Sequence, residues 1–274
     1  MRKNQNIGFI GAGNIATSLI SGLIEDGVNK NDIFSSSPEQ ADLVNLNDLY
    51  SINVTLDNME IISSCSTIIL AVKPQVLKKV LHEIKNAMSL ENLLLISVAA
   101  GIDINFLQSL TTNQQKIIRA MPNTPVSIGK GVTALCSNAS VDSEDKGQAE
   151  QIFNSVGSTY WLKEDSFNLY TALIGSGPAY VFYLLESLKK AAKGLGVEEN
   201  KIENLILEMI IGSAKLARDS KENPESLREK VTSPGGVTEK AIEVLEENKF
   251  TQILISAIQA GEKRSSDLGK RGND

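Results

Sequence analysis

Near the amino terminus the chain reads Ile7-Gly8-Phe9-Ile10-Gly11-Ala12-Gly13-Asn14-Ile15-Ala16, an apolar run that ends in Gly-x-Gly-x-x-Ala and passes into a helical pattern. Few local sequences restrict a fold as tightly. Gly11 permits a tight strand-to-helix turn, Gly13 lets a pyrophosphate approach the backbone N–H groups of a helix N-terminus, and Ala16 lets the helix pack close to the strand. With Ala12, Asn14 and Ile15 completing it, this is a dinucleotide fingerprint at the first turn of an alternating α/β pattern. Alone such a segment is weak evidence, but at this place in the pattern it points to a doubly wound parallel sheet with a dinucleotide at the carboxyl ends of its strands.

The rest of the first half supports that class. Short β-rich runs at 7–10, 32–35, 67–72, 93–98, 116–121, 131–136 and 159–162 alternate with helical segments, as in a parallel sheet covered by helices. Continuous apolar runs such as Thr67-Ile68-Ile69-Leu70-Ala71-Val72 suit strands buried on both faces. The strand signal then stops, and helices are expected over 167–194, 201–220, 224–231 and 233–247, with helix continuing to 268. The reading is a Rossmann domain over 1–164 and a helical domain over 165–274, firmly packed because no Pro/Gly-rich linker separates them. In the second, Ile202, Leu205, Ile206, Leu207, Met209, Ile210, Ile211, Ala214, Leu216 and Ala217 surround most of a helix. A helix apolar on nearly all sides is buried nearly all round, which favours a homodimer or a higher homo-oligomer built on dimers over the alternative of a central helix in a monomeric bundle.

Composition excludes several chemistries. With 27 Lys and Arg against 33 Asp and Glu, the net charge of −6 argues against nucleic acid or an anionic membrane as partner. The uncharged stretch 4–24 is broken by Asn, Gln, Gly, Ser and Thr, unlike a signal core or a membrane span, so a cytoplasmic location is expected. Cys65 and Cys136 stand far apart without metal-ligand spacing, so neither a disulfide framework nor a metal site is expected. His82 is the single histidine. Its context, Val80-Leu81-His82-Glu83, reads as a surface helix, which leaves no Ser-His-Asp, Cys-His or His-ligated metal chemistry.

Further motifs stand at expected strand ends, where doubly wound sheets place their ligand crevice. After the second strand, Ser35-Ser36-Ser37-Pro38 lacks the acid that would hold a ribose 2′-hydroxyl, so NADPH is preferred over NADH, which remains possible. Ala71-Val72-Lys73-Pro74 and Val98-Ala99-Ala100-Gly101 end two more strands and leave room for a nicotinamide ribose. Lys73 reads as a general acid, a cofactor contact or a solvated turn residue. Met121-Pro122-Asn123-Thr124-Pro125 is a rigid turn that aims Asn123 and Thr124 at the crevice. Gly175-Ser176-Gly177-Pro178-Ala179-Tyr180 marks a kink or a close backbone approach inside a helical stretch. Thr232-Ser233-Pro234-Gly235-Gly236-Val237-Thr238 reads as a Ser-Pro helix start whose glycines bare N–H groups for a carboxylate, with the Thr238 hydroxyl one residue further.

In order and spacing, these motifs resemble those of the pyrroline-5-carboxylate reductases, over essentially the whole chain, and the Ser-Pro-Gly-Gly-x-Thr segment is the most specific part. The resemblance implies a Rossmann domain, a helical dimerisation domain, NADPH as the usual donor, and a small-molecule substrate site that takes in residues of a second subunit. It implies cofactor-loop roles for Ser37 and Asn58, beside Ser36, and substrate contacts at Val237 and Thr238. Lys221 stands where some members carry a carboxylate, with Glu222 one residue on, and which of the two reaches a substrate stays open. The expected reaction is hydride transfer to a protonated imine, with Thr238 bonded to the ring nitrogen and Ser233, Gly235, Gly236 and Val237 holding the carboxylate. Two rivals remain. A β-hydroxyacid dehydrogenase needs a lysine that 170–188 does not offer, and an idle relative that senses nucleotide or assembles has no need of an intact Ser233, Gly235, Gly236 and Thr238.

Overall fold

The structure, a computed structural model, describes residues 6–86, 93–197 and 199–271. Among them, β1 (Ile7–Ile10), β2 (Ile33–Ser36), β3 (Asn53–Thr55), β4 (Thr67–Leu70), β5 (Leu94–Ser97), β6 (Lys116–Pro122), β7 (Gly131–Ser137) and β8 (Gly157–Trp161) form one sheet in the order β3-β2-β1-β4-β5-β6-β7-β8. Every pairing is parallel except β6 with β7, which the short helical turn Thr124–Ile128 joins as antiparallel neighbours. Chain order reverses between β1 and β4, so the crevice of a doubly wound sheet opens at the carboxyl ends of those two strands.

Alternation along the buried strands supplies a core on each face. Phe9, Ile69, Ile96 and Ile118 point to one side, where they meet Leu19 and Leu23 of α1 (Asn14–Glu25), Leu46 of α2 (Gln40–Tyr50), and Ile152 and Phe153 of α6 (Ser143–Asn154). Ile10, Ile68, Leu95 and Ile117 point to the other, against Ile61 of α3 (Asn58–Ser64), Leu77 and Leu81 of α4 (Pro74–Asn86), and Phe106 of α5 (Ile104–Ser109). Sequence reading does not anticipate β3. Its three residues are polar or half-buried at the sheet edge, so alternation has too little length to register.

From Phe167 onward the chain is helical: α7 (Phe167–Tyr170), a π-helical turn (Thr171–Gly175), α8 (Gly177–Gly194), α9 (Glu199–Asp219), α10 (Pro224–Lys230), α11 (Val237–Glu247) and α12 (Phe250–Arg271). The continuous helix expected over 167–194 is interrupted because Ser176 N–H bonds back to the Thr171 carbonyl, 2.9 Å away and five residues earlier. A Cβ on Gly175 would come 3.2 Å from Met121 Cε, so the glycine marks a close approach. The helix expected from 233 starts instead at Val237.

Contacts divide the chain into two compact units: the residues up to Ser176 together with those from Ala260, and Gly177–Gln259. That division differs from the one at 164/165, where the strand signal ends. Phe167 belongs to the core beneath the sheet, and Ser265 Oγ donates to Asn168 Oδ1 at 2.9 Å, so both segments stay with the first unit. Glu164 is anchored there as well. Its Oε1 accepts from Arg119 Nη1 at 2.7 Å and from the Ile104 N–H, its Oε2 accepts from Cys136 Sγ, and the Arg119 guanidinium lies 4.5 Å above the Phe167 ring. In the second unit the large apolar side chains Phe182, Tyr183, Leu205, Met209 and Ile211 are exposed, while Ile206 is buried.

Candidate functional site

The glycine turn is built by close approach on one side and by open space on the other. Gly11 has φ +109, which only glycine adopts without strain, and a Cβ there would stand 2.5 Å from the Ala71 carbonyl oxygen. Its N–H donates to the Ser36 carbonyl at 2.8 Å, and Ala71 N–H donates to Ile10 O, so the ends of β1, β2 and β4 converge on it. Gly13 is the reverse case. It is the N-cap of α1, provides no side-chain cap, and a Cβ on it would meet nothing within 4 Å. The first-turn N–H groups of α1 therefore face unfilled space at the positive end of a twelve-residue helix, and these residues fit a dinucleotide pyrophosphate.

The residues expected at the adenosine ribose come from the end of β2, the loop after it and the start of α3. Ser36 Oγ donates to Asn58 Oδ1 at 2.8 Å, and Asn58 Nδ2 donates to Glu83 Oε2 at 2.7 Å. Ser37 Oγ accepts the Glu39 N–H at 3.2 Å and so keeps its own proton to donate. Glu83 is a member of this group that sequence reading misses. It sits on α4, 25 residues from Asn58, and beside Lys79 it looks like one half of a helix-surface ion pair.

At the ends of β4 and β5, Ala71, Val72 and Val98 are half-buried, Ala99 is buried, and Lys73, Pro74 and Ala100 are exposed. Val98 N–H bonds to Leu70 O, which keeps the two strand ends side by side. Asn123 departs from expectation. Its Oδ1 accepts the Val132 N–H at 2.8 Å and its Nδ2 donates to the Ile174 carbonyl at 3.3 Å, so the buried side chain brackets β7 and the π-helical turn instead of standing free in the crevice. Thr124, next to it, is exposed.

In the second unit, Ser233–Gly236 is a turn closed by Gly236 N–H on Ser233 O at 2.9 Å, with Gly235 at φ +72. Gly235 N–H donates to Glu239 Oε2 at 2.8 Å. The expected bare groups are thus corrected by one step along the chain: Gly235 and Gly236 have partners, whereas Val237 and Thr238 head α11 with no acceptor inside the helix and no side-chain cap from Gly236. Val237 is 90% exposed, and the Thr238 hydroxyl makes no hydrogen bond among the described residues. Glu222 pairs with Lys230 at 2.5 Å.

Ionisable groups add little alternative chemistry. Burial pushes the Cys65 thiol up to about 12, and burial with the neighbouring Glu164 carboxylate raises Cys136, so neither is a ready thiolate at neutral pH. Among the described residues, no three His, Cys, Asp or Glu side chains group as metal ligands, and no helix is long and apolar enough to cross a membrane.

Comparison with known proteins places these features in a family. Residues 164–268 match the family model "Pyrroline-5-carboxylate reductase dimerisation", and residues 6–101 match "NADP oxidoreductase coenzyme F420-dependent". The curated pyrroline-5-carboxylate reductase of Pseudomonas aeruginosa is 35% identical over 266 residues, 97% of each chain. Among solved structures, a pyrroline-5-carboxylate reductase from Coxiella burnetii has a TM-score of 0.91 at 36% identity, covering 97% of this chain and 99% of that one. The Plasmodium falciparum pyrroline carboxylate reductase, solved with NADP bound, has a TM-score of 0.87 at 33% identity, covering 97% and 98%.

Proposed function

This chain belongs to the pyrroline-5-carboxylate reductase family, and from that membership we propose how its own residues carry out the family's reaction. The enzyme reduces 1-pyrroline-5-carboxylate to L-proline with NADPH, the last step of proline biosynthesis. The observation that carries this reading is likeness to a named reductase across 97% of the chain.

The turn at Gly11 and the first turn of α1 hold the cofactor pyrophosphate, because N–H groups there have no internal acceptor and Gly13 leaves the approach open. Ser36, Ser37 and Asn58 bind the adenosine ribose, and Ala71 to Pro74 with Val98 to Ala100 line the nicotinamide end. The bound dinucleotide supplies the hydride. The N–H groups of Val237 and Thr238 hold the substrate carboxylate at the positive end of α11, next to Ser233, Gly235 and Gly236. The Thr238 hydroxyl donates to the ring nitrogen, a contact that strengthens because hydride arriving at the carbon of the protonated imine leaves on nitrogen a lone pair that the iminium lacked. This chemistry needs orientation more than a strong base, which suits a chain whose one histidine is an exposed residue of α4. Thr124 serves as a further substrate contact in this reading, with Asn123 bracing the turn beside it.

The protein works as a homodimer in the cytoplasm. Support comes from the dimerisation model matched over 164–268 and from the exposed apolar side chains of α8 and α9. The test follows NADPH absorbance with 1-pyrroline-5-carboxylate, with a 3-hydroxyacid plus NADP as control. Turnover of the imine alone is expected, and no turnover of the imine sinks the assignment.

A further inference from the structure

We propose that Glu83, which makes no expected contact with substrate or cofactor, sets the balance between NADPH and NADH by acting through Asn58 on the ribose end of the cofactor loop. The inference rests on the cofactor placement above. A carboxylate accepts hydrogen bonds and does not donate, so the contact between Asn58 Nδ2 and Glu83 Oε2, 2.7 Å long, fixes which way the Asn58 amide faces. Its Oδ1 is thereby turned to Ser36, whose hydroxyl must donate, at 2.8 Å. The Ser36 proton is committed inward. Ser36 also carries the carbonyl that anchors Gly11 N–H, so one chain of bonds runs from α4 through α3 and the end of β2 to the glycine turn.

Two consequences follow for a ligand at this loop. With the Ser36 proton spent on Asn58, Ser37 is left as the serine with a hydroxyl proton to give to a 2′-phosphate, its oxygen already accepting from Glu39 N–H. The Glu83 carboxylate also stands only two hydrogen bonds from Ser36, on a side chain about 30% exposed, and Lys79 offsets it weakly, 3.9 Å away and itself largely in solvent. A half-buried negative charge opposes a phosphate far more than it opposes a hydroxyl. Glu83 is therefore a positioning residue that holds NADPH preference below what the serines alone would give.

The test measures dissociation constants of NADPH and NADH by titration calorimetry on the full chain, independent of turnover. In Glu83→Gln the side chain keeps its length and an acceptor for Asn58, while the charge is lost and Asn58 is free to turn and release the Ser36 proton. NADPH should tighten roughly threefold or more while NADH moves less than about twofold, and the gain should shrink in high salt, where charge effects are screened. Glu83→Leu, which removes the acceptor, should weaken both cofactors. Equal changes for the two cofactors in Glu83→Gln, or none, would overturn the role of Glu83, since a purely structural residue does not move the ratio. A wild-type protein that binds neither nucleotide would overturn the cofactor placement itself, and the inference with it.

Discussion

Glu239 reaches back to the turn that precedes its own helix, its Oε2 accepting the Gly235 N–H at 2.8 Å. The bond ties a left-handed glycine to the first turn of α11 and so fixes where the Val237 and Thr238 N–H groups point. In the proposed site the same carboxylate competes with the substrate carboxylate for the positive helix end. Removing the side chain and removing only its charge therefore have opposite effects.

Glu239→Ala should raise the substrate KM several-fold with kcat within about twofold, since an exposed hydrogen bond is worth about 1 kcal/mol and its loss loosens the turn. Glu239→Gln keeps an acceptor and should leave KM at or below the wild-type value. Steady-state kinetics on both variants decide the matter, and identical behaviour would mean that the turn does not depend on this bond.

Thr238→Ala should lower kcat more than it raises KM. A hydrogen bond to a charged group of about 1.5 to 3 kcal/mol corresponds to roughly ten- to a hundred-fold in rate. If Thr238 served only the helix start, the variant would lose about 1 kcal/mol of stability at unchanged kcat. Measuring kcat, KM and melting temperature on one preparation separates these results.

Gly11 and Gly13 should respond to alanine in different ways. Gly11→Ala forces a Cβ to 2.5 Å from the Ala71 oxygen at a φ alanine resists, so the protein itself should lose several kcal/mol of stability or fail to fold. Gly13→Ala meets open space at an extended φ of −79, so its melting temperature should fall little, by an amount set by about 1 kcal/mol or less at an N-cap. NADPH affinity should nevertheless drop ten-fold or more, because the methyl fills the approach to the α1 N–H groups. A Gly13→Ala protein that binds NADPH normally would place the pyrophosphate elsewhere.

Acid should destabilise the start of α6. Asp142 caps that helix through the Glu144 and Asp145 N–H groups and pairs with Lys116 Nζ at 2.9 Å. The Lys116 hydrogen bond, followed by the backbone bond from Asp145, holds its carboxyl well below the ordinary value of 3.8. With the folded pKa depressed, the unfolded chain binds the proton first. The stabilisation is present above about pH 4 and is lost as pH falls through 3.8 towards the folded value. Asp142→Asn keeps the cap and loses the titration, so its stability should fall less steeply than wild type below pH 4 in urea denaturation. Parallel curves would remove Asp142 from the acid response.

Much of this molecule is legible in the sequence, and what is hidden shares one cause. The β1 fingerprint and the continuous apolar runs place the parallel strands other than β3 to within a residue or two, because periodicity is strong where both faces are buried. The second helical half is legible in type but not in its breaks. Gly175 signals an irregularity, yet the π-helical turn depends on packing against Met121, which lies 54 positions earlier. Gly235 and Gly236 mark a turn, but which N–H groups stay free depends on Glu239 folding back. Buried polar brackets are the least legible of all. Arg119 with Glu164, Asn123 with Val132 and Ile174, and Asn58 with Glu83 join elements whose residues carry no local sign of one another.

The pairing of β1 with β4 sets a timetable for the chain as it is made. Gly11 and Ala71 are sixty residues apart, so the turn emerges from a ribosome long before the wall it closes against. In that interval β1 has β2 to pair with, but its other edge, the row of backbone N–H and C=O groups that later meets β4, has no strand beside it and is open to foreign pairing. The nucleotide cradle is complete only when residue 71 arrives, so ligand cannot shelter the nascent segment during that window. A pause that falls after β2 has left the ribosome and before residue 71 has done so lengthens the exposure, and a pause after residue 71 has emerged does not.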